Sequence, residues 1–490
     1  MSKSSFSQTG EDIGEDTVYY RAIRPPSFEG ASNSYRLQHR DAIISDADTL
    51  ALGELVFLQS RCRHVIRNNP IASAASDKHV RTMGSITVKW TKPDGTTHTA
   101  MQKLWDIFAE NPMQDGKGDF SSFQAVQNRD RFASGESLAR MLIVKDSAPI
   151  PLKLQGIESE YLDINYMGDN TEGSYPLGRT RYGITFDANT RNIPELYNFW
   201  GDRHYGMNPE FTPYRVPVPA KNIIHTFERV RSNQWRGVPL LAASLISLYE
   251  IEDLCTATVR AQTSASAITW VVSEINNAAK DPTGVVSLLG KNAPHDANKK
   301  IVFDTSGGTT QYTHGKFNLV QSRDIGSNLV TLIKDGYQKI ASALDMPYYM
   351  MSGDTSGLDF SSIRGVLTSF RQSIEFLYTT TIIPDMIRPI VNRFKDIAVV
   401  LGHDVLDAVP VYQFPRWYGV DDLKDAQADL LEVISGLAPI QAKWTERNYT
   451  KEQIEQSIAL LKELGLEALL AKAPNPAQNN SAPTNNTTGS

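Results

Sequence analysis

The chain is poor in the residues that usually announce chemistry. Two cysteines in 490 residues, Cys62 and Cys255, are too few and too far apart for a zinc-ligand spacing or a disulfide framework. Buried free thiols in a reducing cytoplasm are the expectation. No run of about eighteen apolar residues is present, so no membrane span is expected. Met1–Gly14 is polar and acidic and does not have the pattern of a secretory signal. The nine histidines are scattered, with no pair at helical ligand spacing and no neighbouring cysteine, so no metal site is expected. His225 reads as a structural strand residue. An excess of positive charge is also missing. With 49 basic and 55 acidic residues the net charge is −6, which argues against a protein that wraps DNA on a basic surface.

Three stretches approach catalytic or ligand-binding motifs and fail on spacing. Gly284–Asn292 imitates a phosphate-binding loop. It has one residue too many between its glycines, and Asn292 stands where Ser or Thr would reach magnesium. Gly353-Asp354-Thr355-Ser356-Gly357 resembles a nucleophile elbow with its serine one position late. Asp115-Gly116-Lys117-Gly118-Asp119 resembles a calcium loop, but Lys117 occupies a ligand position and the later glycine is absent. A flexible loop and a surface turn are the better readings of the last two. Acidic groups such as Glu158, Glu160 and Asp163, or Asp421 and Asp422, read as solvated surface.

What the chain does have is alternation between helical and strand patterns at a length sufficient for two to four domains. Helical periodicity covers Asp48–Asn68, and Gly84–Thr91 alternates as a strand running into the turn Pro93-Asp94-Gly95. Short apolar runs between Ser137 and Tyr161 read as strands. From Tyr166 to Asn222 the chain is rich in Gly, Pro, Tyr and charge, with strand patterns at Tyr182–Phe186 and Tyr214–Val218, which predicts a mostly β excursion of about sixty residues. Strand patterns recur at Ala267–Val272, Lys300–Phe303 and Phe317–Leu319. Leu329, Ile333, Tyr337, Ile340 and Leu344 are spaced three or four apart, as on one face of a helix. A second helix runs through Val366, Phe370, Ile374 and Leu377, and Pro384 and Pro389 predict a kink or break beyond it. Helices are expected at Asp421–Gly436 and Lys451–Leu464. Ala473–Ser490 has the composition of a disordered tail.

The most informative block is 225–261. A polar turn carrying Arg229, Arg231 and Arg236 ends in Arg236-Gly237-Val238-Pro239. That ending places a flexible residue before a proline suited to a helix start. Leu241, Leu245, Leu248, Ile251 and Leu254 then repeat at helical spacing over a helix too long for a small core. Pattern alone is satisfied by an amphipathic core helix behind an arginine-rich turn.

The same block resembles the signature of the lambda-family bacteriophage portal proteins, in Ile224-His225, Arg231, Gln234, Arg236-Gly237-Val238-Pro239 and Leu240. It departs at Ser232-Asn233, where the family tends to show Pro-Gly, and at Trp235, which precedes the Arg-Gly pair. Further segments agree in order. Arg61, Arg63 and Arg67 lead to Asn68-Asn69-Pro70. Trp105, Asp115, Gly118 and Phe120 precede Gly135-Glu136. The run Leu344–Asp354 is followed by Phe360-Ser361-Ser362-Ile363-Arg364. The resemblance spans roughly residues 35–470.

It implies an α+β portal fold that assembles into a ring. Its parts would be a flexible arm (1–34), a wing (35–157), a β-rich clip (158–228), a stem helix region (229–266), the returning wing (267–415), a helical crown (416–472) and a disordered tail (473–490). The implied role is the channel at one capsid vertex, usually a dodecamer in the family, through which double-stranded DNA is packaged and ejected. That channel docks the terminase large subunit and then the head-tail adaptor, neck and tail proteins. Capsid and scaffold proteins are further partners, the location is the virion, and assembly takes place in the bacterial host cytoplasm. No enzyme activity and no cofactor are implied. Within 348–361, Tyr348, Tyr349, Met350, Met351, Gly353, Asp354, Gly357 and Asp359 are candidates for a tunnel loop of acidic charge. Arg229, Arg231 and Arg236, with Glu250 and Glu252, are candidates for ion pairs between subunits. Gln234, Gly237 and Pro239 are candidates for a clip-to-stem hinge. A metal-dependent packaging nuclease built from dispersed carboxylates, or a capsid adaptor without a channel, are the alternatives.

Overall fold

A computed structural model describes residues 47–464 except 52, 146–148, 170–178, 188, 190–192, 202–213, 268–301, 306–307, 312–326, 358, 416, 418–421, 438, 440–442, 444–448 and 450. The expected arm, the tail, the phosphate-loop look-alike and the strands at 267–272 and 317–319 lie outside, apart from Ala267.

The chain opens with α1 (Ala47–Ala51), α2 (Leu55–Asn68) and α3 (Pro70–Met83). Asn69 separates α2 from α3. Its side chain accepts from the backbone N–H groups of Ile71 and Ala72, and Pro70 follows at the first helical position, a standard N-terminal combination. After β1 (Thr87–Thr91) come α4 (Thr99–Glu110) and α5 (Phe120–Ser134). Asp119 caps α5 by accepting from Ser122 N–H at 2.7 Å, so the calcium-loop look-alike is a turn ending in a helix cap. Gly135, left-handed at φ +83°, terminates α5.

Three antiparallel strands, β2 (Glu136–Ile143), β3 (Leu152–Ile157) and β9 (Ile223–Phe227), form a sheet in the order β3-β2-β9. Between β3 and β9 the chain builds a five-stranded meander, β4 (Gly168–Asp169), β5 (Arg179–Arg181), β6 (Ile184–Phe186), β7 (Pro194–Trp200) and β8 (Arg215–Pro219). The β-rich stretch 158–228 therefore divides between two sheets. Its last strand pairs with β2, Glu136 opposite Phe227 and Arg140 opposite Ile223, so the meander ends at Pro219. The reason is burial: β9 presents buried side chains at Ile223, Ile224, Thr226 and Phe227, on both faces, as expected of an interior strand.

A 3₁₀ turn at Leu240–Ser244 leads into α6 (Leu245–Ala267). The hairpin β10 (Val302–Thr305) and β11 (Gly308–Gln311) follows. Next come α7 (Ser327–Ala343), α8 (Tyr348–Ser352) and α9 (Phe360–Leu377). Where Pro384 predicts a break, the helix continues as a π-helical stretch, Tyr378–Ile387, into α10 (Arg388–Val400), with Pro389 in its first turn. A wider turn accommodates a residue that lacks an N–H and whose ring crowds the preceding carbonyls. β12 (Val409–Gln413) pairs antiparallel with β1, Thr87 opposite Gln413, which ties the two halves of the chain together. α11 (Asp422–Ile434) and α12 (Lys451–Glu463) complete the described chain.

The main core lies among α2–α5, β1–β3 and the segment from α7 to α10. Trp105 packs edge-on against Phe120 (5.3 Å between centroids) and Phe394 (5.0 Å), and Trp90 lies 6.1 Å from Trp105. These are favourable aromatic geometries. Cys62 is buried here and burial pushes its thiol up to about 12, whereas Cys255 is half-buried. A second core under the meander gathers Leu138, Ile184, Phe186, Tyr197, Phe199 and Val218. No helix among the described residues is long and apolar enough to cross a membrane.

Candidate functional site

The segment Glu228–Pro239 joins the sheet to α6, and buried polar and charged side chains fix the elements that meet there. Gln234 folds the turn on itself. Its Oε1 accepts from the N–H groups of Val230 and Arg231, and its Nε2 donates to the Arg236 carbonyl. Asp48 on α1, also buried, accepts from the N–H groups of Trp235 and Arg236 at 2.9–3.1 Å. Trp235 packs on Phe186 of the meander at 4.8 Å, and the Arg229 guanidinium lies over the Phe227 and Trp235 rings.

At the centre is Glu136, the first residue of β2, with no solvent exposure. Its carboxylate accepts from Arg236 Nε (3.0 Å) and Nη2 (2.5 Å), from Gly237 N–H (2.9 Å) and from His225 Nε2 (3.1 Å). Arg236 Nη1 also donates to the Tyr182 carbonyl. Burial alone would raise the Glu136 carboxyl. Arg236 and the hydrogen bonds from His225 and Arg236 outweigh that and hold it at about 2.

Arg236, expected to pair with a neighbouring subunit, is therefore neutralised inside its own subunit and 2% exposed. The expected hinge is likewise closed. A Cβ on Gly237 would fall 2.1 Å from the Gly135 carbonyl oxygen, and one on Gly135 would fall 2.1 Å from the Val238 carbonyl carbon. Two glycines let two backbones touch, and with Gln234 and Pro239 buried the segment is a rigid joint. The sequence pattern suggests mobility at Gly237; in the fold this glycine serves close approach. Arg229, Arg231 and Glu250 are exposed. Glu252 accepts from Asn69 Nδ2 at 3.2 Å.

From the joint, α6 extends about 34 Å at 1.5 Å per residue. Leu241, Leu245, Leu248 and Ile251 are buried at its start, and Ile251 presses on Gly336 of α7, where a Cβ would approach it to 2.6 Å. Past Ile251 no described residue of α6 is buried, and Ile246 and Val259 stand 72% and 65% exposed.

The candidate tunnel segment is half helix. Tyr348–Ser352 forms α8, and Met351 is buried, which removes it from any tunnel wall. Gly353 (φ +75°) and Gly357 (φ +76°) turn the chain, and Asp359 caps α9 through Ser362 N–H. The acidic charge is not alone. Asp354 is 3.1 Å from Lys334 Nζ on α7, and Lys334 lies over the Tyr348 ring. Hydrogen bonds from Ser356 and Lys334 hold the Asp354 carboxyl at about 2. Among the described residues no three His, Cys, Asp or Glu side chains are grouped to hold a metal ion. The sequence showed Glu136 only as half of a Gly-Glu pair. Asp48, Tyr182 and the Glu136–Arg236 contact span up to 188 residues, and no local pattern carries such contacts.

The family model described as phage portal protein, lambda family, matches residues 34–377, a stretch that contains the β3-β2-β9 sheet, the five-stranded meander, the joint, α6 and the loop after α8. The chain belongs to that family. No curated protein sequence matches this portal-family chain. Among solved structures, the neck of an empty gene transfer agent particle computed with C6 symmetry is 12% identical at TM-score 0.42, covering 84% of this chain and 96% of that one. The neck of the native particle computed with C12 symmetry gives 12% and 0.41, with 79% and 90% covered. A HK97-family phage portal protein from Corynebacterium diphtheriae gives 11% and 0.29, with 74% and 96% covered.

Proposed function

We propose that this lambda-family portal chain is one subunit of a closed ring at a capsid vertex, the channel through which double-stranded DNA is packaged and ejected. The observation that carries the reading is the family match across 34–377, together with a rigid joint that launches α6 away from its own core. A helix with Ile246 and Val259 exposed gains apolar burial from neighbouring copies, and a ring closed by rotation provides head-to-tail contacts of that kind. The meander (158–219) acts as the clip, α6 as the stem, the β3-β2-β9 sheet and its helices as the wing, and α11 and α12 as the crown.

In this role the chain is a conduit and docking platform with no catalysis of its own. Terminase meets it during packaging, and adaptor and neck proteins replace terminase afterwards; capsid and scaffold proteins surround it in the virion. A net charge of −6 per subunit gives twelve copies roughly −72, which discourages phosphates from adhering to the wall. The segment 348–361, steadied by Lys334, contacts passing DNA loosely. Purified full-length protein imaged in negative stain should show rings with a central hole, and native mass should give the copy number. Uniform monomers under assembly-permissive conditions would overturn the reading.

A further inference from the structure

A cavity of about 400 Å³ opens between α3, α5, the turn after β9 and α9, and its walls include Leu240, Phe370, Ile374 and Leu377. His79 of α3 and Arg131 of α5 line it, and Arg131 has no solvent exposure. Arg131 Nη2 lies 3.0 Å from His79 Nε2. A guanidinium only donates, so that imidazole nitrogen accepts and the ring carries its proton on Nδ1. Burial and Arg131 together lower the His79 pKa to about 3, which agrees with a neutral ring.

Three donor groups then stand without an acceptor among the described residues: His79 Nδ1, Arg131 Nε and Arg131 Nη1. Among the described residues the other hydrogen-bond partner of Arg131 Nη2 is the Met83 sulfur, a weak acceptor. The counter-charge nearest to Nη1, Glu228 Oε2, is 4.0 Å away on a half-exposed side chain, outside hydrogen-bonding distance. The contrast with Arg236 is direct: one buried guanidinium is saturated by Glu136, and the other meets a cavity. Buried donors require acceptors. A cavity floored by a cation and walled by hydrocarbon has the mixed lining of a small-ligand site.

We propose that this cavity binds a single carboxylate carried on a short apolar stem, the carboxylate on Arg131 and His79 and the stem against Leu240, Phe370 and Ile374. Glu228 and Asp345 at the same cavity oppose a doubly charged phosphate and leave room for one negative charge. The carboxylate comes either from a free aliphatic acid or from a glutamate side chain of a second copy of this chain. The site does not depend on the channel reading.

Calorimetric titration of the full-length protein with hexanoate, hexanamide and inorganic phosphate tests it, at dilute and at concentrated protein. Hexanoate should bind saturably and at least tenfold more tightly than either alternative. Replacing Arg131 can unfold the subunit, so two peripheral variants carry the test. Glu228→Gln removes the competing carboxylate and should tighten hexanoate binding several-fold. Ser373→Trp obstructs the half-exposed rim and should abolish binding while circular dichroism is unchanged. Binding at dilute protein that disappears at high concentration assigns the carboxylate to a second copy. Equal binding at both assigns it to a free acid. No saturable binding at dilute protein, equal affinity for hexanamide, a preference for phosphate, or binding unaltered in both variants would each overturn the proposal.

Discussion

At the scale of single residues, Glu136 decides how the joint responds to substitution and to pH. Glu136→Gln leaves Arg236 buried without its counter-charge, and breaking a buried pair from one side costs about 3–5 kcal/mol. Urea unfolding should show that loss, and a double-mutant cycle with Arg236→Met should recover much of it. The pH dependence follows from the lowered carboxyl. In the unfolded chain Glu136 titrates near its ordinary value of 4.5, in the folded chain at about 2. Its contribution is thus complete above about 4.5 and is lost as pH falls toward 2. Melting temperature followed over that interval should fall more steeply for the native protein than for Glu136→Gln. Asp130 behaves oppositely. Burial, partly offset by Arg63, raises its carboxyl from 3.8 to about 6, so the folded state resists ionising it, and stability declines as pH rises from 3.8 to 6. Asp130→Asn should therefore stabilise the subunit at pH 7, by about 3 kcal/mol at most, and should be neutral or unfavourable at pH 3. Equal effects at both pH values would contradict this.

At the scale of elements, the joint works because two glycines bring the end of α5 and the start of α6 into backbone contact. Gly237→Ala must displace the Gly135 carbonyl, an overpacking expected to cost about 1–3 kcal/mol; thermal unfolding reads the cost directly. An unchanged melting temperature would mean that the segment yields as a hinge does. Most elements were legible in the sequence because their periodicity is local: α2, β1, α7 and α12 lie where apolar spacing predicts them. Others were illegible for physical reasons. α5 buries Gln124, Gln127, Asn128 and Arg131 beside Phe123 and Phe132, so its core face is not apolar and no amphipathic stripe marks it. The π-helical stretch at 378–387 depends on packing of Tyr378, Ile382, Met386 and Ile387, which holds together a helix that Pro384 alone would break. Strand β9 falls inside the stretch 158–228 that the resemblance assigns to the clip, because strand pattern says nothing about the sheet a strand will join.

At the scale of the whole molecule, the family was legible in ordered short motifs while the roles of their residues were not. The resemblance suggests intersubunit contact for Arg236 and motion for Gly237, whereas both are explained by contacts made more than ninety residues away, at Glu136 and Gly135. In sequence the loop after α8 carries only acidic charge, and in the fold Lys334 of α7 pairs with its Asp354. Its behaviour in an assembled ring can be separated from its role in folding by choosing substitutions that preserve the caps. Asn caps a helix about as well as Asp, so Asp359→Asn keeps the start of α9 and Asp354→Asn keeps the turn to Ser356, while each removes a charge. Asp354→Asn also frees Lys334 to face DNA. If the segment borders the channel, the double variant adds net positive charge to each of the ring's subunits. Because affinity for phosphate backbone rises steeply with the number of cations, translocation should slow while negative-stain rings remain intact. Raising salt should partly restore the rate, since screening weakens phosphate contacts. Packaging measured in vitro as DNA protected from nuclease over time gives the comparison. An unchanged rate at low salt, with rings present, would place 348–361 away from the DNA path and leave Lys334–Asp354 as an ion pair that steadies the turn between α8 and α9.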